Sequence, residues 1–110
     1  MAYATSNPPI LLMHGGQYGG AIWKYDTADA TGTVDSAGYI TNADDLGMKK
    51  GDLVLRTTWS ALPTAQADLV TGAATAPTIS SMGWHVVLGV TAGGSCDLTD
   101  TTALTLTNTD

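Results

Sequence analysis

Leu46-Gly47-Met48-Lys49-Lys50-Gly51-Asp52-Leu53-Val54-Leu55 is the stretch on which the fold turns. Spaced apolar residues lead into a Gly-Asp corner, and an apolar run follows. Glycine permits a positive φ at such a corner, and the aspartate side chain can accept bonds from the turn's amides. The pattern reads as a tight turn feeding a strand, which Arg56-Thr57-Thr58-Trp59 extends. Small barrels commonly enter a strand in this way.

Working outward, Trp84-His85-Val86-Val87-Leu88-Gly89-Val90-Thr91 is the strongest strand candidate, closed by a turn at Ala92-Gly93-Gly94-Ser95. Leu104-Thr105-Leu106-Thr107 alternates apolar and polar, as a half-buried strand does. Upstream, Ile22, Trp23 and Tyr25 form a compact strand ending at Asp26, and Ala37 to Thr41 gives another from its β-formers. Thr27 to Asp35 is a polar connection, and Asn42 could cap a single helical turn at 43–46. Residues 60–80, rich in Ala, Thr and Pro, read as a long surface loop with at most one helical turn near Pro63. No internal repeat appears, which argues against a solenoid or a fibre shaft.

Composition points the same way. Eighteen Thr, 15 Ala and 13 Gly fill 46 of 110 positions, all ten acidic residues are Asp, and Phe is absent. Helix-rich chains lean on Glu, Lys, Leu and Gln, whereas Thr, Gly and Asp favour strands and turns. The expected fold is mainly β: one small domain, a β-barrel or sandwich over residues 21–110, preceded by an extended N-terminal arm over residues 1–20. Pro8-Pro9 keeps that arm open, Ile10 to Met13 could add a short strand, and Gly15-Gly16 and Gly19-Gly20 would let it swing. No charged side chain precedes Lys24.

The net charge of −6 rests on ten Asp against Lys24, Lys49, Lys50 and Arg56. Four cations make no surface for a phosphate backbone, so neither nucleic acid nor anionic membrane is an expected partner. No apolar run approaches the roughly 18 residues of a membrane span, and Met1 to Gly20 lacks the pattern of a signal peptide. The lone Cys96 cannot form a disulfide within the chain.

Chemistry-bearing motifs are sparse. His14-Gly15-Gly16 matches the oxyanion loop of lipase-type hydrolases, but no Gly-x-Ser-x-Gly elbow accompanies it. Cys96 with His14 or His85 could form a nucleophile and base only if the fold brought them together. Asp26, Asp29 and Gly32 miss the spacing of a calcium loop, and no paired Cys or His motif suggests zinc. No catalytic residue, metal or cofactor is expected. Trp23, Trp59 and Trp84 must serve as core anchors or interface hot spots in a chain without Phe. Trp23 is assigned to the core, and Trp59 and Trp84 are left open.

Four segments in order carry a resemblance: Ala2-Tyr3-Ala4-Thr5-Ser6-Asn7-Pro8-Pro9, Trp23-Lys24-Tyr25-Asp26-Thr27-Ala28-Asp29, Gly38-Tyr39-Ile40-Thr41-Asn42-Ala43 and Leu46 to Val54. Their order and spacing resemble small virion proteins of tailed bacteriophages, in particular head-decoration (capsid cement) proteins. The resemblance covers the first half of the chain and thins after Trp59. It implies a non-enzymatic structural protein, made in the host cytoplasm and placed on the outer surface of the phage head. Its partner there is the major capsid protein. The resemblance also implies a homotrimer, since capsid lattices present three-fold positions. Protein-binding residues expected on this basis are Pro8, Pro9, Ile10, Leu11, Leu12 and Met13 of the arm, with Trp59 and Trp84. The alternatives are an adaptor or base protein for a head fibre or tail component and, from another class, a small glycan-binding module using exposed Trp.

Overall fold

The structure is a computed structural model that describes residues 3–70 and 76–107. It is mainly β, with 38% strand and 10% helix. In chain order the elements are β1 (Ile10–Met13), β2 (Ile22–Thr27), α1 (Thr31–Val34), α2 (Ala43–Leu46), β3 (Leu53–Trp59), a 3-10 turn (Gln66–Leu69), β4 (Ile79–Val90), β5 (Cys96–Leu98) and β6 (Thr102–Leu104). All six strands lie in one sheet of order β1-β2-β3-β4-β5, with β6 also on β4. Residues 71–75 of the long loop expected at 60–80, and the ends of the arm and of the β domain at 1–2 and 108–110, lie outside the described residues.

Neither a barrel nor a sandwich forms. β2 and β3 pair in parallel, Ile22 beside Leu53 through Thr27 beside Thr58. A parallel pair requires a crossover, and residues 28–52 supply it. That segment, with α1 and α2, packs on one face of the sheet and replaces the second layer a sandwich would need. The other pairings are antiparallel: β1 with β2, β3 with β4, and β4 with β5 and β6. β5 and β6 run along the same side of β4 as one edge strand, interrupted at Thr99–Thr101. The sheet stays open between β1 and this far edge.

Alternation places the core. In β2, Trp23, Tyr25 and Thr27 are buried, whereas Ile22, Lys24 and Asp26 are half-buried. Trp23, Tyr25, Val54, Val87, Cys96 and Leu98 of the sheet meet Val34, Tyr39, Ile40, Ala43 and Met48 of the crossover. Without Phe, tyrosines supply the aromatic bulk, and their hydroxyls are satisfied in a chain. Tyr3, Tyr25 and Tyr39 pack with ring centroids 5.6–6.2 Å apart. Tyr25 and Tyr39 share a hydroxyl bond of 2.8 Å, Tyr39 donates on to Asp29, and Tyr3 donates to Asn42 Oδ1 at 2.6 Å. Burial pushes the Tyr3 phenol up to about 12.

The expected short strand at Ala37–Thr41 is instead irregular, because Tyr39 and Ile40 drop into the core from the crossover. The final strand sits at Thr102–Leu104, earlier than the alternation at 104–107 suggested. The free arm is not seen. Tyr3 packs on the tyrosine cluster, Pro9 is buried, Asn7 donates to the Asp26 carbonyl at 2.8 Å, and Ile10–Met13 is the edge strand β1. Docking of the segment offsets the entropy of ordering it. The glycine pairs form a tight loop in which Gly16 and Gly19 exchange backbone bonds of 2.8 and 3.2 Å.

Candidate interaction surface

Side chains alternate across a sheet, and directly paired residues share a face. Every second residue therefore points away from the crossover. Three rows result. Ile22, Leu53 and Val86 form the first, Lys24, Leu55 and Trp84 the second, and Asp26, Thr57, Met82 and Leu104 the third. Ile10 pairs beside Lys24 and Met13 beside Ile22 at the β1 side, and Leu88 extends the face beyond β3. Val86 is 37% exposed and Leu88 52%, while Leu53, Leu55, Met82 and Trp84 are half-buried among themselves. Trp84 stands near the middle. The polar members are tied down: Lys24 Nζ lies 2.6 Å from Asp26 Oδ1 and 3.0 Å from Thr57 Oγ1, and Trp59 Nε1 donates to the same Asp26 oxygen at 3.0 Å.

The two edges of the sheet contrast. β5 and β6 are short and interrupted, with Asp97 within β5 and Asp100 in the interruption, the usual guards against unwanted pairing. β1 is uncharged, and Ile10, Leu11, Leu12 and Met13 are all exposed, three of them by 59%. A bulge between Leu11 and Met13 is its only irregularity.

Of the expected binding residues, Ile10, Leu11, Leu12 and Met13 share the β1 edge, and Trp84 lies on the outward face that begins there. Pro9 is buried and Pro8 half-buried, so both serve docking of the segment. Trp59 stands apart from Trp84, at a groove of about 430 Å³ lined by Asn7, Asp26, Trp59, Leu62, Pro63 and Leu69.

The nucleophile and base candidates are not joined. His85 is buried and bonded to Arg56 and Thr99, and Cys96 sits in the core with its amide on the Ile40 carbonyl. Burial pushes the Cys96 thiol up to about 11, away from the thiolate a nucleophile requires. His14 lines a separate cleft of about 600 Å³ with Tyr18, Lys49, Lys50 and Asp52. Among the described residues no group of three His, Cys, Asp or Glu is placed to hold a metal ion. No helix there is long and apolar enough to cross a membrane.

No family model, curated protein or solved structure matches the chain.

Sequence reasoning missed the outward rows of Ile22, Leu53, Leu55, Met82, Val86 and Leu88. A signal existed in β4, where Trp84, Val86, Val87, Leu88 and Val90 make a nearly continuous apolar run. Such a run marks a strand covered on both faces, whereas one open face gives alternation.

A second feature that sequence did not suggest is the burial of Arg56. The residue is 1% exposed, and its guanidinium donates to His85 Nε2 at 3.1 Å, Ser81 Oγ at 3.1 Å, Thr101 Oγ1 at 3.1 Å and Thr58 Oγ1. Four neutral acceptors replace a carboxylate, and desolvation lowers the guanidinium's pKa. The imidazole accepts at Nε2 and so carries its proton on Nδ1, directed at the Thr99 carbonyl 2.8 Å away.

Proposed function

We propose that this chain is a non-enzymatic virion structural protein that decorates and stabilises a phage head by binding the major capsid protein. The resemblance of its first half to head-decoration proteins suggests the role. The uncharged, apolar β1 edge is the observation that supports it, because an exposed strand accepts a partner's strand through backbone bonds in fixed register. Ile10, Leu12 and Met13 would then fill shallow pockets on the partner, and repetition across a lattice would strengthen a weak single contact. Self-association, by resemblance as a trimer, fits a small core that gains from neighbours.

Copy number in purified particles tests this. A number close to that of the capsid protein supports decoration, a few copies per particle support the fibre or tail adaptor, and none refutes a virion role. Leu12→Lys, on an exposed edge position, should abolish decoration by a folded chain. Undiminished binding by that variant would move the contact off β1. A glycan-binding role has one observation in its favour, the Trp59 groove with Asn7 and Asp26. There the indole N–H is already committed to Asp26, and a glycan array would decide it.

A further inference from the structure

We infer that the outward face of the sheet, centred on Leu55 and Trp84, is where copies of this chain meet. This rests on the self-association in the proposal above but not on its three-fold stoichiometry, because a contact of one face with its own copy is two-fold and closes a dimer, and it is independent of the capsid.

The face is apolar where a solvent-exposed sheet would be polar. Antiparallel sheets with one wet face alternate cleanly, and here β3 and β4 carry Leu53, Leu55, Met82, Trp84, Val86 and Leu88 on the side away from the crossover. From β1 to β6 the face is roughly 19 Å wide by strand spacing, and from Met82 to Leu88 it is roughly 20 Å long. The flat projection, polar members included, is roughly 400 Å² before side-chain relief is counted, within the range of the largest patch on a monomer, which is often functional. A standard interface takes roughly 800 Å² from each partner, rim included. The apolar rows supply the core of such an interface, and Thr102 and the Lys24–Asp26 pair, which covers the buried Thr57, belong to its polar remainder.

Charge selects the occupant. At −6 the chain repels its own copies over most of its surface. Asp29, Asp35, Asp44 and Asp45 lie in the crossover, on the opposite side, and Asp68 lies in the 60–70 loop. On the outward face Asp26 is neutralised by Lys24, and the other carboxylates that border it among the described residues, Asp97 and Asp100, stand on the β5/β6 edge outside the apolar rows. This is therefore the surface on which two like-charged copies approach at least electrostatic cost. Shape agrees, since two sheets of identical twist pack face to face about 10 Å apart at a small angle. The second layer that the single chain lacks would be supplied by another chain.

The test uses the isolated full-length chain, with no particles present. Sedimentation across the micromolar range should show a concentration-dependent oligomer. The double variant Val86→Lys/Leu88→Lys, at two exposed positions, should weaken it at least tenfold while far-ultraviolet circular dichroism stays unchanged. Cys96 is the chain's sole cysteine and is buried, so Leu88→Cys introduces one accessible thiol. A short bis-maleimide should link that variant into covalent dimers, whereas Ser36→Cys in the crossover should stay unlinked. A wild-type chain that is monomeric throughout overturns the inference. So does an oligomer that survives in the folded lysine variant, or one that links through residue 36 and not residue 88. A wild-type chain that forms the oligomer yet is absent from purified particles would instead refute the decoration proposal alone.

Discussion

Replacing Asp52 should be the most damaging single change outside the apolar core. The residue is fully buried, and its carboxylate holds three parts of the chain together. Oδ1 accepts from Gly20 N at 3.2 Å and Ala21 N at 3.1 Å, and Oδ2 accepts from Trp23 Nε1 and Lys49 N at 2.9 Å each. Asp52→Asn leaves one oxygen for two donors and turns an NH2 group toward the other two. Whichever way the amide flips, a donor pair loses its acceptor. Hydrogen bonds to a charged group contribute about 1.5–3 kcal/mol each, and bonds to one shared acceptor do not add fully. The expected loss is about 2–3 kcal/mol for Asn and about 4–5 kcal/mol for Ala, which strands all four donors. Domains of this size have only about 5–15 kcal/mol in total. Urea unfolding at one fixed protein concentration measures the change, because self-association would otherwise add its own term. At about 4 °C per kcal/mol, Asp52→Asn should also lower Tm by roughly 10 °C. An Asn variant within about 1 kcal/mol of wild type, or an Ala variant no worse than Asn, would refute the role of this carboxylate as a shared acceptor.

Three further outcomes are expected. Burial lowers the His85 pKa below its ordinary 6.5, outweighing the bond to the Thr99 carbonyl that raises it, while the Arg56 charge lowers it further and Asp35 and Asp100 oppose this more weakly. The unfolded chain therefore takes up the proton first. Stability from this site is complete above pH 6.5 and declines as pH falls toward the folded value, by up to about 1.4 kcal/mol per unit. A urea midpoint that His85→Gln leaves just as steep in pH would contradict this. Gly83→Ala should cost about 1–3 kcal/mol, since its Cβ would lie 2.1 Å from Thr101 Oγ1 and 2.9 Å from the Thr102 carbonyl. Equal or greater stability in urea would show that the β6 edge gives way freely. Cys96, with its thiol raised to about 11, should resist iodoacetamide in the folded chain at mildly alkaline pH and react once urea unfolds it. Rapid labelling of the native protein would place the thiol at the surface.

What sequence could show was local. The Gly51-Asp52 corner behaves as its residue types require: Gly51 has φ 91° and the Asp52 carboxylate takes the Lys49 amide. β2, β3 and most of β4 were visible as runs of β-formers. The helical turn after Asn42 was visible too, although Asn42 makes no side-chain cap bond and its oxygen goes to Tyr3. Pairing partners were not legible. Nothing in Ile22–Thr27 says that it lies parallel to a strand beyond residue 52, and an open sheet with a crossover has the same strand signals as a barrel. Ala37–Thr41 misled because β-formers suit any half-buried extended surface. Arg56 reads in sequence as an exposed strand residue, and only register brings Ser81, His85 and Thr101 around it. Within the expected binding set, Ile10–Met13 is an exposed apolar edge, whereas burial of Pro9 depended on how the first residues dock.

The parallel pairing of β2 with β3 has a kinetic consequence. β2 cannot bond to β3 until residues 28–52 have been laid across the sheet, so closing this loop precedes most of its reward. Folding dominated by such distant pairing belongs at the slow end for domains of this length. β3, β4 and the β5/β6 edge are joined by shorter connections and can assemble first, leaving β2 and then β1 to be added. Asp52 bonds to Gly20, Ala21 and Trp23 from the far end of that crossover, so its contacts form only as the loop closes. In a chevron, Asp52→Asn should slow refolding if loop closure is the barrier, and Leu12→Lys on the last-added strand should act mainly on unfolding.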